Sequence, residues 1–260
     1  MSSARAWITA VRHSHDRLSD LVSRHSGSGD LRAPSACSEW SVAEVLSHLG
    51  SQAQIFKLFL EAGLAGADAP GAESFQPIWD TWNAKSPEAQ ATDSVAANES
   101  LVSLIEGLPA ADLDRFRLDM FGRRLDATGV LRMRLSEHAV HTWDVEVTFD
   151  DGAVVATEAV DLLLDGLGET AGRAGRPSPA PLDVLVATTD PQRTFRVHAG
   201  EKVSLDAAAA EDDGGPRVDL PAEAFLRLVY GRLDGSHPAR GPVRTRDVDI
   251  SQLSAVFEGF

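Results

Sequence analysis

Apolar positions recur every third or fourth residue through the first part of the chain and alternate in its last third, so two kinds of structure follow one another. Residues 4–26 carry Ile8, Val11, Leu18 and Val22 at helical spacing. The stretch RHSGSGDLRAPSACSEW then reads as a loop rich in Ser, Gly and Pro. Ser41 followed three residues later by Glu44 is a capping-box signature, which predicts a helix start at Ser41. Val42, Val45, Leu46, Leu49, Phe56 and Leu60 form the buried stripe of that helix, and Gly63 begins its exit. GLAGADAPGAESF is expected as a loop, and QPIWDTWNAKSPEAQ as the start of another helix bearing Trp79 and Trp82. Residues 87–107 form a third or fourth helix through Val95, Leu101, Leu104 and Ile105. GLPAADLDRFRLDMFGRRLDATG is expected to be irregular, and Val130 to Phe149 helical. Four long helices joined by loops make a bundle the economical architecture.

The pattern changes after FDDG at 149–152. One more helix is expected over 156–173, followed by the Pro/Gly-rich GRAGRPSPAP. LDVLVATTD and RTFRVHAGEKVSLDAA alternate and carry turn signals, which predicts a small sheet. EDDGGPR reads as a turn, VDLPAEAFLRLVYGRL passes from strand into helix, and VDISQLSAVFEGF closes the chain as a short helix. The expected class is therefore α+β, with a helical bundle over residues 1–150 and a smaller α/β domain over 151–260.

Composition narrows the function classes. The net charge of −15 argues against nucleic acid, which needs a basic footprint, and against anionic membrane surfaces. No apolar run is long enough to span a bilayer, and MSSARAWITAVRHSHDRLSD lacks a secretory apolar region, so a cytoplasmic location is expected. Cys37 is the sole cysteine, which excludes an intrachain disulfide and a cysteine-based metal site. Its loop setting suggests a structural or incidental thiol.

Candidate chemistry concentrates in LRMRLSEHAVHTWDVEVTFD. Glu137 and His141 are four apart, so on a helix both side chains leave the same face, a spacing that serves paired metal ligands and also plain surface hydrogen bonds. A third ligand must come from elsewhere. His48 is the histidine of the Ser41 helix and borders its apolar stripe, as a ligand or as a core histidine. Asp144 either orients the His141 ring or is a solvated acid. His138 points about 100° away from the Glu137–His141 face and is expected on the solvent side.

WSVAEVLSHLG, followed by RLSEHAVHTWDVEV, resembles the N-terminal metal-binding domain of the mycothiol-dependent maleylpyruvate isomerase family, on the DinB-like four-helix bundle. The family pattern, a Trp-led helix with one His and then Glu-x3-His with a following acid, falls on Trp40, His48, Glu137, His141 and Asp144. LPAEAFLRLVYGRLDG and LSAVFEGF resemble the helix ending in Gly-Arg and the chain ending of the family's small α/β domain. The resemblance implies a divalent metal, usually zinc, on His48, Glu137 and His141. It implies mycothiol as the thiol cosubstrate, a small electrophilic or unsaturated acid as the other reactant, and Arg232 as a functional arginine. The reaction is then cis–trans isomerisation or S-transfer, by a monomer or homodimer. The alternative is a non-catalytic, metal-stabilised module that binds a small apolar ligand or a partner. FQPIWDTWNAKSPEA departs from the family expectation, since it offers Trp79, Trp82 and Asn83 but no arginine to clamp a second carboxylate. Trp82 is either a pocket wall or a core aromatic.

Overall fold

The computed structural model describes residues 3–37, 39–120, 122–209 and 214–259. The chain divides into two compact units, Met1–Ala153 and Val154–Phe260. Among the described residues, no helix is long and apolar enough to cross a membrane.

The first unit runs α1 (Ser3–Arg24), α2 (Ser28–Leu31), α3 (Val42–Ala65), α4 (Gln76–Asn83), α5 (Pro87–Glu106) and α6 (Ala110–Arg115). A hairpin of β1 (Leu118–Met120) and β2 (Arg123–Leu125) leads into α7 (Ala127–Glu146). The four long helices α1, α3, α5 and α7 form the bundle. α3 packs against α5 and α7, and α1 against the same two, so α7 has a long neighbour on either side. Leu18, Leu21, Leu31, Val42, Val45, Leu46 and Leu49 make one cluster of its core.

Local chemistry sets the helix ends. Ser41 accepts from the Glu44 backbone N–H while the Glu44 carboxylate accepts from Ser41, so the predicted capping box is present. The segment from residue 76 holds two helices, α4 and α5, the second over the expected 87–107 stretch. Ser86 caps the second and Pro87 occupies its first turn, where a missing N–H costs nothing. Asp126 caps α7 through the Gly129 N–H at 2.8 Å, so that helix begins three residues before Val130. Gly63 does not end α3. A Cβ there would sit 2.0 Å from the Phe116 ring, so the glycine opens a seat for that ring, and the helix stops at left-handed Gly66 (φ 67°). Within the stretch expected to be irregular, α6 and the short hairpin are ordered structure.

The second unit opens with α8 (Thr157–Leu163), a 3-10 turn over 164–166 and α9 (Leu167–Ala174), where one continuous helix was expected. Then come β3 (Leu182–Thr189), β4 (Arg193–Ala199), β5 (Val203–Ala207), β6 (Arg217–Pro221), α10 (Ala222–Val229), β7 (Arg244–Arg246) and α11 (Ile250–Val256). Among the described residues the sheet order is β5-β4-β3-β6-β7. β3 and β6 are parallel and the other pairs antiparallel, in register Val184↔Val197 and Val186↔Val218. The expected turn EDDGGPR lies partly outside the described residues.

α10 fixes the loop that carries Arg232. Buried Arg227 bonds the Glu223 carboxylate at 2.8 Å and donates to the carbonyls of Arg232, His237 and Pro238. At Gly231 (φ 68°) a Cβ would lie 2.3 Å from the Gly259 nitrogen, so a glycine is needed where the two backbones meet.

Candidate metal centre

α3 and α7 lie side by side, and the polar residues of both meet in one place. His48 comes from the second turn of α3, Glu137 and His141 from successive turns of α7. His48 Nε2 is 3.1 Å from Glu137 Oε2, and His141 Nε2 is 3.8 Å from the same oxygen. The two imidazoles meet edge to face with centroids 4.8 Å apart. One donor atom from each of the three residues lies within 4.8 Å of the other two. Side-chain exposures of 20%, 40% and 14% for His48, Glu137 and His141 leave the group reachable from solvent.

Asp144 is a ring-orienting residue. It is fully buried, and its Oδ2 accepts from His141 Nδ1 at 2.8 Å. That bond keeps the proton on Nδ1 and turns Nε2 toward Glu137. The Asp144 carbonyl also accepts from Ala36 N–H at 3.2 Å, which pins the loop before α3 against α7. Trp40, at the end of that loop, lies 5.2 Å from the His48 ring and 6.2 Å from the His141 ring. The same latch brings Cys37 to His141 and Asp144, with sulfur, ring nitrogen and carboxylate oxygen within 4.8 Å of one another. The loop thiol is thus a neighbour of the site, which its sequence context did not reveal.

The charges are set by these contacts. Burial opposes ionisation of Glu137, but the His48 hydrogen bond and the positive charges of His141 and Arg134 outweigh it and hold the carboxyl at about 2. Burial works against a charged His141, yet Asp144, then Cys37 and Glu137, raise it to about 10. His48 is lowered by burial against the pull of Glu137. At neutral pH the cluster is therefore an ionised carboxylate, a neutral imidazole and an imidazolium.

These residues fit a divalent cation. Two imidazole nitrogens and one carboxylate oxygen form a zinc-type donor set, and three ligands leave a coordination position for a reactant. The carboxylate is already ionised, His48 is neutral, and His141 has to release one proton.

His138 corrects the expectation made for it. It is fully buried, because the side of α7 about 100° from Glu137 faces α1 rather than water. Its Nδ1 is bonded to Ser14 Oγ at 2.8 Å and lies 3.3 Å from Thr142 Oγ1. Burial, then Arg134, push its pKa well below the usual imidazole value, so it stays neutral. Arg134 went unnoticed in the sequence: it is buried one turn before His138, donates to Asn98 Oδ1 and lies 5.5 Å from the Phe56 ring centroid. Trp82 is a core aromatic, packed over Gly50, where a Cβ would come within 2.2 Å of its ring. Trp79, one turn earlier, lines instead a cavity of about 600 Å³ into which His48 opens. Arg232 belongs to the second unit, where its Nη1 donates to the Tyr230 carbonyl at 3.0 Å.

Fold and site together define a two-unit α+β protein with a helical bundle and a His/Glu/His cluster built across two of its adjacent long helices. Residues 11–146, just over half of the chain, match the family model of the mycothiol maleylpyruvate isomerase N-terminal domain, and the chain belongs to that family. Among solved structures, the crystal structure of the mycothiol-dependent maleylpyruvate isomerase matches with a TM-score of 0.67 at 14% identity, over 93% of this chain and 92% of that one. A variant of that enzyme with one histidine replaced by alanine gives the same TM-score, identity and coverage. At that identity the likeness shows the fold, over both units. No curated protein matches the chain.

Proposed function

We propose that this protein is a metal-dependent thiol enzyme in which His48, Glu137 and His141 hold one divalent ion, zinc by the donor set, and mycothiol is the thiol cosubstrate. The observation that carries this reading is the meeting of three potential ligand atoms from α3 and α7, with Asp144 setting the tautomer of one of them. Metal and thiol together supply a thiolate at neutral pH, for reversible addition to a cis double bond or for transfer to an electrophile.

The chain's own residues prepare that chemistry. Glu137 keeps its charge against burial through His48 and His141, so it offers an anionic oxygen without first losing a proton. Asp144 holds His141 by Nδ1 and leaves Nε2 as the nitrogen that gives up its proton on metal uptake. Trp40 borders the two imidazoles and places an indole face beside them. Addition to an unsaturated acid builds enolate charge, which calls for a cation, and Arg232 is the residue assigned to it by the family resemblance.

The test is direct. Metal-stripped protein is expected to take up one zinc per chain. With mycothiol it is then expected to turn over maleylpyruvate or to consume the thiol against an electrophile, in both cases only when metal is present. Zinc-loaded protein that does neither would overturn the enzyme reading.

A further inference from the structure

The cavity beside His48 has a composition that selects its occupant. Glu44, His48 and Gln52 succeed one another every four residues on α3 and share a face. Gln76, Trp79 and Asn83 share a face of α4 at i, i+3 and i+7. These two faces, with Trp40 and Gln90, line the same space of about 600 Å³. Among the described residues, none of the side chains lining it is a cation. Glu44 is an anion there, held below the usual carboxylate value by the backbone and hydroxyl of Ser41 in the capping box. A dicarboxylate meets repulsion from Glu44 in this cavity and finds no cationic side chain in the lining.

What the lining does offer is carboxamides and indoles. Each carboxamide presents an acceptor and two donors, which matches hydroxyl groups that both give and take hydrogen bonds. The Gln52 amide makes no hydrogen bond among the described residues, and Asn83 has one long contact, 3.5 Å from Ser47 Oγ. Half-buried Trp79 and exposed Trp40 provide flat apolar faces for the C–H side of a ring. Polar edges with apolar faces are the two-sided chemistry of a polyol.

We propose that this cavity is the seat of an uncharged, polyhydroxylated group, the sugar–cyclitol portion of the thiol cosubstrate, with Trp79 and Gln52 as its principal contacts. The inference deepens the functional reading above and rests on it for the identity of the thiol. Mycothiol carries its cysteine on an amino sugar linked to a cyclitol, and His48 opens into the same space that would take that scaffold.

Cobalt-substituted protein separates the two ideas, because a thiolate bound to cobalt gives a charge-transfer band. Mycothiol is expected to develop the band at about tenfold or more lower concentration than N-acetylcysteine, which has the thiol but no sugar. Trp79→Ala, and independently Gln52→Leu, should narrow that gap while leaving the N-acetylcysteine titration and the cobalt content in place. Bands from both thiols at equal concentration, or a gap that both variants preserve, would overturn the polyol site and leave the thiol-enzyme reading standing. If neither thiol gives a band, the enzyme reading fails. The cavity is then judged with the thiol-free glucosaminyl inositol: tryptophan quenching lost in Trp79→Ala supports the polyol site, and absence of quenching in the parent protein overturns it.

Discussion

His48→Ala and His138→Ala should have opposite consequences, although both remove an imidazole from the bundle. His48 and Glu137 are half-buried, with side-chain exposures of 20% and 40%, so water can reach the Glu137 carboxylate once the imidazole is gone. Pairs open to water in this way contribute about 0–1 kcal/mol, and the metal-free variant should unfold within that margin of the parent. Losing one of three proposed ligands should abolish zinc retention. His138 is fully enclosed against Ser14 and Thr142. Its removal leaves a cavity and two hydroxyls that need new partners, a cost of about 2 kcal/mol, or roughly 4–8 °C in the unfolding of the bundle, with zinc content unchanged. The pH dependence adds a signature. A buried histidine with depressed pKa contributes stability that is present above about 6.5 and lost as pH falls toward its folded value. The gap between parent and His138→Ala should therefore shrink by about 1.4 kcal/mol for each pH unit below 6.5. Zinc per chain after dialysis against a metal buffer, and urea unfolding of the metal-free proteins at several pH values, measure both effects. Zinc loss from His138→Ala equal to that from His48→Ala would refute the assignment of faces on α7.

Zinc uptake should release close to one proton per ion from about pH 6.5 to about 9 and about half a proton at 10, because His141 titrates at about 10. Asp144→Asn should reduce that release, as seen by titration calorimetry in buffers of different ionisation heat. In the metal-free protein the same raised His141 value means stability that is full below 6.5 and lost as pH rises toward 10, a slope that Asp144→Asn should flatten. Gly63→Ala drives a methyl into the Phe116 ring, 2.0 Å away, and should cost about 1–3 kcal/mol in denaturant unfolding without changing zinc content. Arg232→Ala should lower turnover of an acidic substrate while zinc and thiol binding persist; equal turnover by the variant would remove this arginine from the chemistry.

How much of this was legible in the sequence depended on whether a residue's partners lay on its own helix. The Ser41–Glu44 box and the Glu137–His141 spacing are local, and the structure has the helices that those signals predict. The Gly63 and hairpin differences have the opposite origin. Phe116 fills the space that Gly63 leaves, and strands of three residues are too short to show a period. α7 is the instructive case. Its sequence has polar residues on several sides, which reads as a helix with a solvent face, yet His138, Arg134, Thr142 and Asp144 are all buried. Packed between α1 and α3, the helix has polar groups on both buried sides, each with at least one partner: Ser14 for His138, Asn98 for one nitrogen of Arg134, and on the other side His141, one turn earlier, for Asp144, while Arg134 Nε and Nη1 and His138 Nε2 are left without a hydrogen bond among the described residues. A buried carboxylate or guanidinium costs stability to the extent that its polar atoms go unpaired, so a helix that keeps such groups is shaped by more than packing. The departure from simple amphipathic patterning thus falls on the segment that supplies two of the three proposed ligands and the residue that orients one of them, as expected where chemistry competes with stability.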